Sequence, residues 1–528
     1  GTIPPELKQE LLALADKAAE AGKLDLADDL RLTVKHILQC SSNQAFQGVF
    51  KRLVQAGLLT PEKHKSFEKE LAAHTCHIHG GICAFNGTGN SCRHAVSAFG
   101  LVHPELELLT EPPRYEQVDA AVQSMLAVCN DSQYSVSHIV KQNKENAIRV
   151  HAATGGSTNL MMHLVSAIIY AGERFSIHDY EKVRTNTQVP DMLNYSLTEG
   201  RDIFVLAEQR QRGTHAGMAT VLYELKNQGI PVNEDAPTMA GCSWGERLKQ
   251  DERLSAANER DNPILLSTPK RPAGGIDVLA GNFFESAVVK ISGMTEPQFH
   301  HFDNKIALVL YFENEEEAVA HLLDENILSK VCRESGVTQK TLLHMYTHNT
   351  GKDVDDLQGI ADVQTMFTRL VETEALRIAV LIAGQGPEAF GMPEMFTPTQ
   401  HLNHNRTLKK ICAILSDGRF SGVSYGAVIG HMTPEAYREG GILYLQSGDV
   451  LHLRLTQREL LLLDKNAFEG GTIQPYAGDL AAERRALGKE RLRTMQSRRR
   501  KICPANQMGA LTDAAHGVVP NAVWAWAE

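Results

Sequence analysis

The chain has 528 residues with 63 acidic and 53 basic side chains, and its formal net charge of −10 argues against non-specific nucleic-acid binding as its main activity. It contains no apolar run long enough to span a bilayer and no signal-peptide pattern at its start, so we expect a cytoplasmic enzyme with no membrane partner. The length allows two or more domains with their own cores.

The first 75 residues are predicted to be helical. The stretch from Pro4 to Leu38 is rich in Leu, Ala, Glu and Lys at helical spacing, with a break at Gly22, and a second helical stretch follows to about Ala73. From residue 76 to 273, helices alternate with short strands and glycine-rich loops, which indicates an α/β domain.

Residues 274–482 contain several Val/Ile/Leu strands separated by turns such as Gly448-Asp449, and a helical segment from about 328 to 374 interrupts them. Residues 483–528 form a C-terminal tail whose last aromatic side chains are predicted to pack, for example on a partner subunit.

The nine cysteines are scattered rather than grouped in a short disulfide scaffold, which favours a reducing compartment. Cys129, Cys332 and Cys412 lie in or beside apolar stretches and are predicted to be small buried side chains. Cys76 and Cys83 differ, because they share the segment HTCHIHGGIC with three histidines. Thiolates beside imidazoles can hold iron or zinc, and the spacing leaves both a metal site and a packing role open.

Two loops late in the chain are the most informative motifs. GQGPEAFGMPEM begins at Gly384 and presents Glu394 on a Gly-Met-Pro turn, and SDGRFSG contains Asp417, Arg419 and Ser421 between glycines. Each loop follows an apolar, strand-like run, Ile378 to Ile382 for the first and Ile411 to Leu415 for the second, so both are predicted to carry polar groups to a cleft at the edge of a sheet. Each loop alone is equally typical of an ordinary turn after a strand.

A third motif, HAATGGSTNL, places Ser157, Thr158 and Asn159 directly after Gly155-Gly156. Their hydroxyl and amide groups suit substrate oxygens, and a helix N-terminus behind them would suit an anion. For any one of these residues an ordinary helix N-cap is the alternative.

Together these motifs resemble the IlvD/Edd iron-sulfur dehydratases, which include dihydroxyacid, 6-phosphogluconate and sugar-acid dehydratases. The resemblance runs from about Phe67 to about Leu463, and its closest branch is the sugar-acid (xylonate) dehydratases. The supporting segments, in the family's order, are GGICAFNGTGNS (80–91), HAATGGSTNLMMHL (151–164), GGIDVLAGNFFESAVVKISG (274–293) and GHMTPEA (430–436).

The resemblance implies an α/β fold, in which an N-terminal α/β domain precedes a C-terminal β-barrel-like (swivelling) domain and the helical segment at 328–374 is an insertion. It implies a homodimer or homotetramer with a small-molecule partner. The implied activity is that of a hydro-lyase, which converts a 2,3-dihydroxy sugar acid (aldonate or phosphoaldonate) to a 2-keto-3-deoxy acid.

The same resemblance assigns the site residues. Ser421 would be the catalytic base, Glu394 would bind Mg²⁺, and Cys83 would bind an iron-sulfur cluster as the last of three cysteines. The residues that would bind substrate are Ser157, Thr158, Asn159 and Arg419. Arg419 would do so by pairing with the carboxylate of the substrate. A serine can act as a base only where a nearby cation stabilises its alkoxide. The alternatives are that Ser421 caps the following segment, that Glu394 forms a surface ion pair, and that Arg419 holds Asp417.

The match fails upstream of Cys83. The family carries two further cysteine motifs, Cys-Asp-Gly and Cys-Asp-Lys, and the second also supplies an Asp and a carbamylated Lys to the magnesium. This chain contains neither, and only Cys40 and Cys76 precede Cys83. Either the natural protein has a segment that this chain lacks, or the chain is a divergent relative with a non-catalytic binding or assembly role. With only Cys83 and Glu394 in place, we expect a folded, inactive chain whose metal site is empty or incomplete.

Overall fold

The computed structural model describes residues 3–35, 42–74, 86–107, 112–193, 217–250, 265–421, 426–502 and 511–528. In these residues the chain has a mixed α/β fold, as predicted: helices make up the part before residue 276, and a sheet of eight strands lies after it. No helix in the described ranges combines the length and the apolar character that a membrane crossing requires.

The N-terminal unit is a group of four helices. Thr60 caps the fourth helix by accepting a hydrogen bond from the Lys63 amide at 3.2 Å. Stacked aromatic rings fill the centre of the group, with centroids 5.1 Å apart for Phe46 and Phe50 and 5.5 Å apart for Phe50 and Phe67. The helices are α1 (Pro5–Glu20), α2 (Leu24–Lys35), α3 (Ser42–Gln55) and α4 (Pro61–Ala73).

The second unit is also helical in its described part. Its core contains Ile148, Leu164 and Trp244. The short strands predicted between residues 76 and 273 occur in the described ranges only as isolated bridges, such as Asp191 with Arg271. The helices are α5 (Thr88–Ala98), α6 (Tyr115–Val128), α7 (Val136–Ala153), α8 (Thr158–Tyr170), α9 (Ile177–Asn186), α10 (Gly217–Asn227) and α11 (Trp244–Gln250).

The third unit is built on a sheet in the order β1-β2-β6-β5-β4-β3-β7-β8. The central pairs β3-β4, β4-β5 and β5-β6 are parallel, and the outer pairs are antiparallel. The strands are β1 (Ile276–Leu279), β2 (Ser286–Lys290), β3 (Lys305–Phe312), β4 (Ile378–Ile382), β5 (Cys412–Ser416), β6 (Val428–Thr433), β7 (Val450–Arg454) and β8 (Glu459–Leu462).

The two ends of the sheet meet, so that it forms a nearly closed barrel. Ala280, just after β1, donates its amide to the Arg458 carbonyl at 3.0 Å and accepts the Leu460 amide at 3.0 Å. Alternate residues of β4 enter two different cores: Val380 packs on one face and Leu381 on the other. Burial on both faces explains why this strand is a continuous apolar run.

Helices surround the sheet. The segment predicted as a helical insertion forms three helices, between Ile327 and Glu372, which cover one face of the sheet, and its status as an insertion stays a prediction. The helices of this unit and the tail are α12 (Glu296–Phe302), α13 (Glu315–Leu322), α14 (Ile327–Glu334), α15 (Gln339–Thr350), α16 (Val363–Glu372), α17 (Pro387–Phe390), α18 (Phe396–Asn403), α19 (Leu408–Ile411), α20 (Lys465–Glu469), α21 (Leu480–Glu483), α22 (Arg485–Ile502) and α23 (Asn521–Trp526).

The tail returns to the second unit of its own chain. The Arg174 amide donates to the Glu528 carbonyl at 2.8 Å. One cysteine prediction is wrong: Cys332 and Cys412 are buried, but Cys129 is exposed because it follows the outward-facing helix α6. An apolar neighbourhood in sequence therefore did not guarantee burial.

Candidate active site

The two predicted loops lie side by side, because they follow neighbouring parallel strands. Ile382 at the end of β4 pairs with Ser416 at the end of β5. The carboxylate of Asp417 joins the loops, since it accepts the amides of Gly384 at 3.1 Å, Gln385 at 2.9 Å and Ala436 at 2.9 Å. Burial raises the pKa of Asp417, and these hydrogen bonds oppose that rise by favouring the carboxylate.

The loops approach each other closely at Gly418. A Cβ atom there would lie 2.7 Å from Cβ of Gln385 and 2.9 Å from Cε of Met395. Glycine is therefore required at this position by the contact between the loops. The SDGRFSG pattern contains a glycine because the neighbouring loop occupies the space of a side chain.

Glu394 and Arg419 face each other across this contact. They form an isolated parallel bridge, in which the Met395 amide donates to the Arg419 carbonyl at 2.9 Å. The Arg419 Nε donates to the Met392 carbonyl at 2.8 Å, so Arg419 fixes the first loop rather than Asp417. Glu394 is exposed, and Ser421, two residues beyond Arg419, is partly buried.

The Gly155-Gly156 turn ends α7 and begins α8. Gly155 has a φ of +55°, and its Cα packs against Gly275 of the barrel unit. Ser157 is the N-cap of α8, and its Oγ accepts the Asn159 amide at 3.3 Å. Ser157 thus has the N-cap role, and its contact with substrate stays a prediction. Thr158 is the first helical residue and is largely buried.

His151 holds this turn in place. One ring nitrogen, Nε2, lies 3.0 Å from the Ser157 carbonyl, and Nδ1 lies 2.9 Å from the Tyr180 hydroxyl. Burial lowers the pKa of His151 to about 4, so the ring is neutral at pH 7. Because a carbonyl oxygen only accepts, Nε2 carries the proton and Nδ1 accepts from Tyr180.

Asn159 brings the turn to the loops. Its Nδ2 donates to Glu394 Oε1 at 2.9 Å and to Thr88 Oγ1 at 3.2 Å, and Thr88 Oγ1 lies 3.0 Å from Ser157 Oγ. The N-termini of α5 and α8 therefore meet beside Glu394, and each contributes the positive end of a helix dipole there. The structure unites four of the predicted site residues, Ser157, Asn159, Glu394 and Arg419, in one polar cluster where the helical and barrel units meet, which is the candidate cleft.

Cys83 lies outside the described residues. The chain enters the described part again at Asn86, three residues later, and Asn86 Nδ2 donates to the Thr154 carbonyl at 2.8 Å. Lys290, at the end of β2, donates to the Asn86 carbonyl at 3.3 Å. Burial lowers the pKa of Lys290 to about 8. Sequence analysis missed this lysine, because a single Lys at the end of an apolar strand is normally expected to face solvent.

Sequence analysis also missed His163 and His431. His431 is buried in β6 with a φ of +57°, and neither ring nitrogen has a hydrogen-bond partner in the described ranges. Burial lowers its pKa to about 3, with smaller contributions from the charges of Arg419 and His163. Strained, unpaired polar residues concentrate at functional sites. The only available signal was the position of His431 within the GHMTPEA segment.

Two family models match this chain. The N-terminal model of the dihydroxy-acid/6-phosphogluconate dehydratases matches residues 26–247, and the C-terminal model matches residues 331–472. The chain belongs to the dihydroxy-acid/6-phosphogluconate dehydratase family. The two matches meet at this cluster, since Asn159 lies in the first and Glu394 and Arg419 lie in the second.

Dihydroxy-acid dehydratases from three organisms illustrate the relationship. The protein of Methanococcoides burtonii is 26% identical over 424 residues, which are 79% of this chain and 64% of the relative. That of Prochlorococcus marinus is 27% identical over 418 residues, or 78% and 62%. That of Anaeromyxobacter dehalogenans is 28% identical over 423 residues, or 79% and 63%. The chain thus spans less than two thirds of the length of these relatives.

Family membership implies an iron-sulfur cluster and Mg²⁺, and the described residues do not complete a site for either. They contain no group of three or more His, Cys, Asp and Glu side chains arranged to hold a metal ion. Glu394 is a single carboxylate with one oxygen already bonded to Asn159, whereas Mg²⁺ needs several oxygen ligands. A cluster needs several thiolates.

Proposed function

We propose that the protein is a hydro-lyase that dehydrates a 2,3-dihydroxy sugar acid to a 2-keto-3-deoxy acid. The observation that carries the proposal is the hydrogen bond between Asn159 and Glu394, because it brings the Gly-Gly-Ser-Thr-Asn turn of the helical unit to the two loops of the barrel unit. The motifs that resemble the family therefore form one cleft in space.

Substrate binding follows from the charges of the cleft. The carboxylate of a sugar acid suits the Arg419 guanidinium, whose terminal nitrogens make no hydrogen bond to the described residues, and the N-terminus of α8. Ser157 contributes through the shape of the turn, because its hydroxyl already bonds the Asn159 amide. Thr158 lies at the first turn of the same helix and adds a hydroxyl beside it.

A sugar acid is favoured over an aliphatic dihydroxy acid by the unpaired acceptors around α5 and α8. The buried amide oxygens Oδ1 of Asn86, Asn90 and Asn159 have no hydrogen-bond partner in the described ranges. Each unpaired buried acceptor costs about 1–3 kcal/mol. Hydroxyl groups of a polyhydroxylated substrate would pair with such acceptors, whereas the methyl groups of an aliphatic substrate would leave them unpaired.

Ser421 is the proposed base that removes the proton from C2. An unassisted serine hydroxyl is far too weakly acidic, so its alkoxide needs a positive neighbour, and Arg419 is two residues away. Asn159 orients Glu394 at the same cleft. The proposal includes an iron-sulfur cluster at Cys83 and Mg²⁺ at Glu394, whose further ligands would have to lie outside the described residues. A cytoplasmic location also belongs to the proposal.

The test is a substrate screen with the full-length natural protein, purified anaerobically and assayed for iron, sulfide and visible absorption. Aldonates, phosphoaldonates and dihydroxyisovalerate are incubated with the protein and Mg²⁺, and 2-keto acid products are measured. We expect product from a sugar acid. A folded protein that gives product with none of these substrates would contradict the proposal and favour a non-catalytic role.

The Ser421→Ala variant tests the assignment of the base. Because general bases typically contribute about 10²–10⁴-fold, kcat should fall by at least about a hundredfold while thermal unfolding is unchanged. Ser335→Ala, which removes a buried hydroxyl at the end of α14, should keep normal turnover. Near-normal turnover in the Ser421 variant would overturn the assignment.

A further inference from the structure

Helix α6 (Tyr115–Val128) carries its polar contacts on the inner side. Gln117 Nε2 donates to the Glu105 carbonyl at 3.1 Å, and Ser124 Oγ lies 3.2 Å from His103 Nε2. The one buried side chain of the helix is Val128. These three residues follow helical spacing and therefore mark the inner face, which rests on the turn at Pro104–Leu106.

The outer face of the same helix is apolar. The exposed fractions are 80% for Tyr115, 39% for Val118, 40% for Val122, 52% for Met125 and 57% for Leu126. Spacings of three and four residues place these side chains in a single stripe. From Ala120 to Asn130 the chain carries no charge. A helix exposed to water normally turns its polar side chains outward, so this apolar stripe is a contact surface that lacks a partner among the described residues.

We propose that this stripe is a homodimer interface, in which α6 packs antiparallel against α6 of a second copy of the chain about a two-fold axis near Val122. The apolar side chains of the stripe recur at heptad-like spacing. A second helix with the same spacing can pack its side chains between them. Antiparallel pairing about Val122 places Val118 of one copy opposite Leu126 of the second copy. The contact is self-complementary, as a two-fold interface requires.

The charges favour the antiparallel direction. Glu116 is an acidic residue in the first turn of α6. With the axis at Val122, the two Glu116 side chains lie about 18 Å apart along the helix axis at a rise of 1.5 Å per residue. That separation exceeds the Debye length of about 8 Å at physiological ionic strength, so their repulsion is screened. Parallel pairing would bring them together.

The exposed area is of the right order for the centre of such an interface. Large apolar side chains bury roughly 150–250 Å² each when fully covered, so the five partly exposed side chains offer on the order of 500 Å². A stable interface covers about 800 Å² per partner, with an apolar centre and a polar rim. The stripe supplies the centre, and the charged first turn supplies part of the rim.

The first test is sedimentation equilibrium on the full-length protein at micromolar concentration. Wild type should be a dimer or a larger even-numbered assembly, and Val122→Glu should lower the mass to that of the next smaller assembly, because it places two carboxylates at the axis. Gln123→Glu adds the same charge one residue along, off the stripe, and should leave the mass unchanged. Monomeric wild type, or a Val122→Glu variant of unchanged mass, overturns the proposal.

A second test does not depend on loss of assembly. In a background with Cys92→Ser and Cys129→Ser, which removes two exposed cysteines, Val122→Cys should form a covalent dimer under mild oxidation, since residues on a two-fold axis lie opposite their own copies. Gln123→Cys is the matched control and should remain uncrosslinked at equal exposure time. Equal crosslinking of the two variants would contradict the placement of the axis.

Discussion

Asn159 and Glu394 are separated by 235 positions in the chain and joined by a hydrogen bond of 2.9 Å. Asn159 is buried at the start of α8, whereas Glu394 is exposed on a loop of the barrel unit. The bond therefore connects a fixed donor to a carboxylate that would otherwise be free to rotate in water. It gives Glu394 one orientation toward the cleft.

A double-mutant cycle should measure this connection. We expect Asn159→Ala and Glu394→Ala to couple by about 1 kcal/mol in the free energy of unfolding, because a hydrogen bond to a charged group contributes more than a neutral one but Glu394 is exposed. The measurement is urea denaturation of the two single variants and the double variant. Asn159→Ala combined with Glu296→Ala, a change on α12, should be additive. A coupling energy indistinguishable from that of the control pair would show that the hydrogen bond adds nothing to stability.

Gly418→Ala should separate the two loops. Its Cβ would lie 2.7 Å from Cβ of Gln385, a contact that only movement of the backbone can relieve. Overpacking of this kind costs about 1–3 kcal/mol, and thermal unfolding should show the loss. Gly470→Ala is the control, because the atom nearest its added Cβ is 3.3 Å away. Equal stability of the two variants would mean that the loops are not in tight contact.

His401→Leu should reduce the sensitivity of the protein to acid. His401 is buried beside Gly48 of α3, and neither ring nitrogen has a hydrogen-bond partner in the described part of the chain. Burial, aided by the charges of Lys51 and Arg52, lowers the pKa of His401 to about 3. The unfolded chain, with an ordinary pKa near 6.5, therefore binds a proton that the folded chain does not, and stability falls as the pH drops below about 6.5.

The size of this effect is measurable by urea denaturation at two pH values. Between pH 7.5 and pH 5.5 wild type should lose about 1.4 kcal/mol more than His401→Leu, which follows from one proton and the unfolded pKa. Leu402→Ile, at the neighbouring buried position, neither adds nor removes a titratable group and should keep the pH dependence of wild type. The opposite sign, with the variant more sensitive to acid than wild type, would exclude a neutral buried ring.

Asp277→Asn should weaken the contact between the helical and barrel units. Asp277 on β1 pairs with Arg184 of α9 at 2.6 Å, and both side chains are buried. Removal of one partner of a buried pair costs about 3–5 kcal/mol, and we expect the lower end because Glu181 still pairs with Arg184. Glu296→Gln breaks the more exposed pair with Arg271 and should cost less than about 1 kcal/mol. If the two variants lost similar free energy of unfolding, the buried Asp277–Arg184 pair would contribute no more than the more exposed one.

The sequence was most informative where local pattern and burial coincide. The apolar runs before the two loops form β4 and β5 within one residue of the predicted ends, since strands buried on both faces contain few polar residues. The start of α8 was also predictable, because Ser157 after two glycines is a typical N-cap. In both cases nearby residues determine the structure.

The remainder depends on contacts distant in sequence. No local signal indicates that Asn159 reaches Glu394, or that Arg419 binds the Met392 carbonyl rather than Asp417. His431 lies in an apolar strand, where a histidine without partners is hard to foresee. The exposure of Cys129 was missed for a similar reason, since apolar spacing does not say which face of α6 meets the protein.

The closure of the barrel has a consequence for the order in which the chain folds. Strands β1 and β2 pair with each other, but Val288 of β2 also pairs with Gly430, and Ala280 after β1 bonds Leu460, so each strand meets its second neighbour only after more than a hundred intervening residues. The four-helix unit packs instead through neighbours in sequence. Loop-closure entropy makes distant strand pairing slow, whereas helices with nearby contacts form early. During synthesis the first helices should therefore be complete while β1 and β2 still expose apolar surface that a chaperone could cover.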